Sequence, residues 1–142
     1  MVLDHLMQVS NATFGRAFDK TVAEYPAKEA FVFQGTRITW EQAAVRVNML
    51  ARGLLDLGVK RGDSVGIWMT NNLEWLYSWI AIVKIGAAVG AINTRFKTTE
   101  LSYALLQSDV STLIMKDTFL GKINALGMLE ELIPELSRSL SQ

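Results

Sequence analysis

One run of five residues combines types that could do chemistry: Asn93-Thr94-Arg95-Phe96-Lys97. Two cations, a hydroxyl and an aromatic ring in so short a stretch could contact a phosphate or a nucleotide. The plainer reading is an ordinary polar loop between a strand and a helix, a common feature of α/β chains. Other catalytic patterns are missing. No G-x-G-x-x-G follows a strand, which argues against a simple dinucleotide fold. No G-x-x-x-x-G-K-[ST] loop is present to cradle phosphates. The single histidine, His5, stands near the terminus and reads as a surface residue. Glu130-Glu131 reads as a solvated face of a late helix. There is no cysteine, so a disulfide framework, a thiolate metal site and a cysteine nucleophile are excluded.

The four tryptophans could suggest a binding surface. Trp75 and Trp79 share one helical face, where core packing explains them. Trp40 opens a capped helix and reads as an anchor. Trp68 falls inside a strand and reads as core.

The elements that must position Thr94, Arg95 and Phe96 can be read from periodicity. Thr13 to Tyr25 has Phe14, Ala17, Phe18, Thr21 and Val22 on one helical face, and Pro26 stops it. Ala30–Phe33 and Thr36–Thr39 flank Gln34-Gly35 and predict a hairpin. Thr39-Trp40-Glu41-Gln42 predicts a capping box that starts a long helix. Its apolar stripe is Trp40, Ala43, Ala44, Val47, Leu50, Ala51, Leu54 and Leu55, and Gly58 suits a left-handed C-cap.

Strand and helix then alternate. Ser64–Met69 reads as a buried strand. Leu73–Ile85 is a helix, capped by Asn71 or Asn72 and ended by Gly86. Ala87–Ile92 is a second strand. Thr98 is expected to cap a third helix, Thr99–Gln107, buried through Leu101, Ala104 and Leu105. Thr112–Met115 is a third strand. A last helical segment is expected from about Phe119 to Ile133, where Pro134 interrupts it. Ser137–Gln142 is polar, with no stop of its own. The fold class is therefore α/β: a three-layer parallel sheet of βαβ units, preceded by a helix and a β-hairpin.

Composition sets bounds. The chain has 142 residues, half of them hydrophobic, a fifth charged and only two proline. That is enough for one packed unit, and it does not fit a disordered tail. Fourteen basic residues balance fourteen acidic ones, so no excess charge points to nucleic acid or an anionic membrane. Leu73 to Ile92 is apolar but carries Glu74, Lys84, Gly86 and Gly90, and it reads as a buried helix and strand rather than a membrane span. The start of the chain has no basic region or long apolar region of a secretory signal. A cytoplasmic protein is the expectation, with peripheral contact to a membrane left open.

The order of four phrases is more specific than any one of them. They are Tyr25-Pro26-Ala27-Lys28-Glu29-Ala30; Ile38-Thr39-Trp40-Glu41-Gln42 with Leu50-Ala51-Arg52-Gly53-Leu54 and Leu57-Gly58-Val59-Lys60-Arg61-Gly62-Asp63; Asn72-Leu73-Glu74-Trp75; and Lys84-Ile85-Gly86-Ala87 through Ile92-Asn93-Thr94-Arg95 to Glu100-Leu101. Together they resemble the opening of the adenylate-forming superfamily, which includes acyl-CoA synthetases, aryl-CoA ligases, luciferases and peptide-synthetase adenylation domains. Ile92-Asn93-Thr94-Arg95, with Gln107-Ser108-Asp109 after it, is similar to the fatty-acyl-CoA ligase branch. The resemblance runs from about Thr13 to Leu136. One departure is Leu73, where the family usually has proline in the first turn of a helix. Asn72 can still cap that helix, so rigidity is lost rather than fold.

The resemblance implies that residues 1–142 are the amino-terminal part of the large AMP-binding domain. The phosphate-binding loop, the residues that hold AMP, the Mg-binding glutamate and the catalytic lysine would lie beyond them. It implies a full-length enzyme that activates a fatty acid with ATP and Mg²⁺ to an acyl-adenylate and transfers it to CoA. It also implies that Thr94, Arg95 and Phe96 approach the CoA nucleotide, with Arg95 on a phosphate. No catalytic or metal-binding residue is carried onto this chain, and the chain alone is expected to be inactive. The alternative is a free-standing, non-catalytic α/β binding or assembly module. A sheet covered only by its own helices would leave apolar edges and faces exposed, so self-association is expected. An unrelated flavodoxin-like module is disfavoured by the hairpin and the missing phosphate loop.

Overall fold

Thr13 starts the first helix because its Oγ1 accepts from the Arg16 N–H at 3.3 Å, satisfying one of the free donors of the first turn. In the computed structural model, described over residues 13–119 and 121–135, this helix is α1 (Phe14–Glu24). It ends before Pro26, since the residue ahead of a proline avoids the helical region. Strands β1 (Glu29–Phe33) and β2 (Thr36–Thr39) form the expected antiparallel hairpin. Gln34 (φ 47°) and Gly35 (φ 83°) both take positive φ, which suits the twist of a two-residue hairpin turn.

Helix α2 (Trp40–Asp56) opens with the reciprocal cap. The Gln42 N–H donates to Thr39 Oγ1 at 3.3 Å, and the Thr39 N–H donates to Gln42 Oε1 at 3.0 Å. At the other end Gly58 (φ 91°) lets the Val59 N–H donate to the Leu54 carbonyl and the Gly58 N–H to that of Leu55. Ala43, Val47, Ala51 and Leu54 are buried. Leu55, expected in the stripe, is 54% exposed. It lies one residue, about 100° of helical turn, beyond Leu54 and leaves the face that meets the core.

Strands β3 (Ser64–Trp68), β4 (Ala88–Ala91) and β5 (Val110–Met115) form a parallel sheet in the order β4-β3-β5. Helices α3 (Leu73–Lys84) and α4 (Thr98–Gln107) make the crossovers. The chain steps from β3 to one side and then back past it to the other. If both crossovers are right-handed, the two helices must lie on opposite faces. Alternation along the central strand agrees. Val65 and Ile67 join a core cluster with α1, α2 and α3. Trp68 joins a second cluster with Ile92, Leu101 and Phe119. The sheet is thus the middle of three layers.

The face of the sheet that carries Trp68 is closely packed. Trp68 is fully buried and meets the Phe119 ring edge-on at 5.3 Å. Burying a side chain of this size stabilises by roughly 1.5–3 kcal/mol. Among the described residues its indole N–H has no hydrogen-bond partner. Gly66 lies between neighbouring side chains: a Cβ there would stand 2.8 Å from Leu113 Cδ1.

Several element ends shift by one or two residues from the sequence reading, and two differences are larger. Thr98 is the first residue of α4 and not its cap. The Glu100 carboxylate closes that end by accepting from the Lys97 N–H at 2.8 Å. The Thr98 hydroxyl instead donates to Glu131 at 3.2 Å. The segment from Phe119 is not one helix. It forms two short antiparallel strands, β6 (Thr118–Phe119) and β7 (Ile123–Asn124), before α5 (Ala125–Leu132). Gly121 has a φ of 65°, and Asn124 caps the later helix by accepting from the Gly127 N–H at 2.9 Å. A positive φ and an N-cap inside the segment are incompatible with a continuous helix. His5 and Ser137–Gln142 lie outside the described residues.

Candidate functional site

The strand pairing of β4 continues one residue past its end, where the Ile92 N–H donates to the Ile67 carbonyl at 3.0 Å. The chain then turns. Asn93 Oδ1 accepts from the Arg95 N–H at 2.9 Å, and the Asn93 carbonyl accepts from the Phe96 N–H at 3.2 Å. An asparagine commonly builds such a turn, because its side-chain carbonyl reaches the backbone two residues on. On the far side the Glu100 carboxylate holds the Lys97 N–H.

The structure separates the three residues singled out from sequence. Thr94 is half-buried. Phe96 is half-buried and packs against the Trp68 cluster. Arg95 is exposed at the apex. Among the described residues neither Arg95 nor Lys97 has an ion-pair partner. The turn therefore offers a guanidinium held at its backbone and open at its head, which suits a phosphate or carboxylate. Its position is the carboxyl end of a parallel strand. That strand is at an edge, however, and the reversal of strand order lies between β3 and β5.

A second feature was not visible in the sequence. An apolar groove of about 1080 Å³ lies between α2, α3 and the end of β5. Met49, Leu57 and Ile114 line it, with Arg46, Glu74 and Lys116 among its polar groups. Met49 and Leu57 are 64% and 75% exposed. The signal was their place off the α2 stripe, which periodicity alone reads as incidental. Tyr77, buried at 7% exposure, also lines the groove. Burial pushes its hydroxyl pKa above the ordinary value of 10.0; nearby Glu74 adds to this and Arg46 opposes it.

The remaining candidates are structural. Trp40 meets the rings of Phe18 and Phe31, and Trp79 meets Phe14. Trp75 packs against the first core cluster. Glu131 is used in its bond to Thr98. Among the described residues no group of three His, Asp or Glu could hold a metal ion. Among them, too, no helix is long and apolar enough to cross a membrane.

A family model described as AMP-binding enzyme matches residues 18–140. The Bacillus subtilis protein YngI, classed by name with the acyl-CoA synthetases, is 35% identical over 136 residues, covering 94% of this chain and 25% of YngI. The mitochondrial medium-chain acyl-CoA ligase ACSF2 of Danio rerio is 32% identical over 130 residues, covering 90% of this chain and 21% of the ligase. Among solved structures, the anthranilate CoA ligase AuaEII with anthranoyl-AMP superposes with a TM-score of 0.75 at 26% identity, covering 85% of this chain and 22% of that one. The N-terminal domain of FACL13 from Mycobacterium tuberculosis gives 0.69 at 28% identity, covering 72% and 26%. The chain thus spans about a quarter of the length of these relatives.

Proposed function

The chain belongs to the AMP-binding enzyme family, and on that premise we propose that it is the amino-terminal scaffold of a fatty-acid–CoA ligase. The whole enzyme would join a fatty acid to AMP from ATP, release pyrophosphate, and pass the acyl group to the CoA thiol. Within it, residues 1–142 would be the first part of the large AMP-binding domain and inactive alone. In this reading Mg²⁺ would be held by parts of the enzyme outside these residues.

The observation that carries this reading to a residue is Arg95. It is an exposed cation, without an ion-pair partner among the described residues, at the apex of a turn beyond a parallel strand. In this reading its guanidinium contacts a phosphate of CoA, and Thr94 borders the same position. Phe96 supports the turn from the core side. Arg95→Ala in a full-length synthetase carrying this region is expected to raise the CoA KM about ten-fold, the size of one charge-assisted contact. The KM for ATP should not change. An unchanged CoA KM rejects the assignment, and tight ATP binding by the chain alone counts against the scaffold reading.

The exposed groove favours a second reading, an assembly module that self-associates through its uncovered apolar face. Light scattering on the purified chain tests this second reading. A mass above that of one chain, reduced by Met49→Lys with Leu57→Lys, supports assembly; a monodisperse monomer removes it.

A further inference from the structure

We propose that Asn93 is a positioning residue for Arg95: its side chain presets the turn that presents the guanidinium. The proposal rests on the reading of Arg95 as a CoA contact and deepens it.

Asn93 makes two bonds that bracket Arg95. Its side-chain oxygen takes the Arg95 N–H at 2.9 Å, and its backbone carbonyl takes the Phe96 N–H at 3.2 Å. The anchors beyond these bonds are firm. Before the turn, Ile92 is 8% exposed and still paired to β3. After it, Phe96 packs into the second core and the Lys97 N–H is held by Glu100. Asn93 itself is exposed, so its side chain adds little buried area to the fold. Its bond orders the backbone of a single exposed cation.

Ordering that backbone before the ligand arrives removes an entropy cost from binding. The residue type fits the task. Aspartate could accept the same bond, but its carboxylate would compete with a phosphate for the neighbouring guanidinium. Serine could accept it more weakly. Asparagine supplies the acceptor without a charge.

The test is steady-state kinetics on the full-length synthetase carrying this region. Asn93→Ala is expected to raise the CoA KM roughly three- to five-fold, less than Arg95→Ala, because the guanidinium is still present. The kcat and the KM for ATP should not change. Asn93→Ser should recover part of the loss. In the Arg95→Ala background, Asn93→Ala should add nothing, since a residue that acts only through another is not additive with it.

A purely structural asparagine would instead lower stability and kcat, and its effect would add to that of Arg95→Ala; that result overturns the proposal. So does an unchanged CoA KM in Asn93→Ala when Arg95→Ala raises it. If Arg95→Ala has no effect, the CoA reading fails and takes this one with it. Should Asn93→Ala not fold, Asn93→Gln keeps the amide but reaches too far for the turn, and it carries the same expectations.

Discussion

Lys84 Nζ lies 2.5 Å from Asp19 Oδ1, which ties α3 to α1 across 65 positions of sequence. The same ammonium donates to Asn48 Oδ1 on α2 at 2.8 Å, so one cation joins three helices. Gly15 allows the approach: a Cβ there would stand 3.0 Å from Lys84 Cα. Lys84→Met keeps the stem and removes the charge. It is expected to cost about 1 kcal/mol, since the pair is partly exposed and screened by solvent. Chemical denaturation measures this. A cycle with Asp19→Asn should show coupling that shrinks in high salt; no coupling would mean that packing alone holds α1.

Gly66 makes the sharpest demand on packing. A methyl group there would meet Leu113 at 2.8 Å, Val110 at 3.1 Å and Ile92 at 3.3 Å. Valine is stiff at its first torsion and cannot easily move aside. Gly66→Ala is expected to destabilise by about 1–3 kcal/mol through overpacking. Adding Leu113→Val should restore part of the loss in thermal unfolding. A neutral Gly66→Ala would show that this face of the sheet is looser than described.

Tyr77 sets a pH dependence at the alkaline end. Its folded pKa is raised above 10.0, chiefly by burial. The folded state then holds its proton more firmly than the unfolded chain. That contribution is fully present below the unfolded pKa and is lost as pH rises through the folded one. Stability should therefore fall on titration upward from about pH 10, and Tyr77→Phe should flatten the fall. An equal alkaline loss in Tyr77→Phe would assign it to other groups.

How much could be read from the sequence depends on the range of each interaction. The hairpin was legible because Gln34-Gly35 must supply positive φ within two residues. The cap on α2 was legible because Thr39 and Gln42 satisfy each other within one turn. The segment after Phe119 misled, since a short apolar run suits a helix or a strand equally. Thr98 misled because its true partner, Glu131, is 33 positions away.

The same division holds at the candidate site. By itself the sequence determined that a polar, cationic run follows an apolar strand, and that its phrases fall in the order of one enzyme family. Local preference and chain order are enough for that. Only the tertiary structure decided that Phe96 joins the Trp68 cluster while Arg95 stays exposed. Only it decided that Met49 and Leu57 border a groove. Those outcomes follow from which distant residues cover a side chain, and burial is a property of the packed layers that no spacing along the chain encodes.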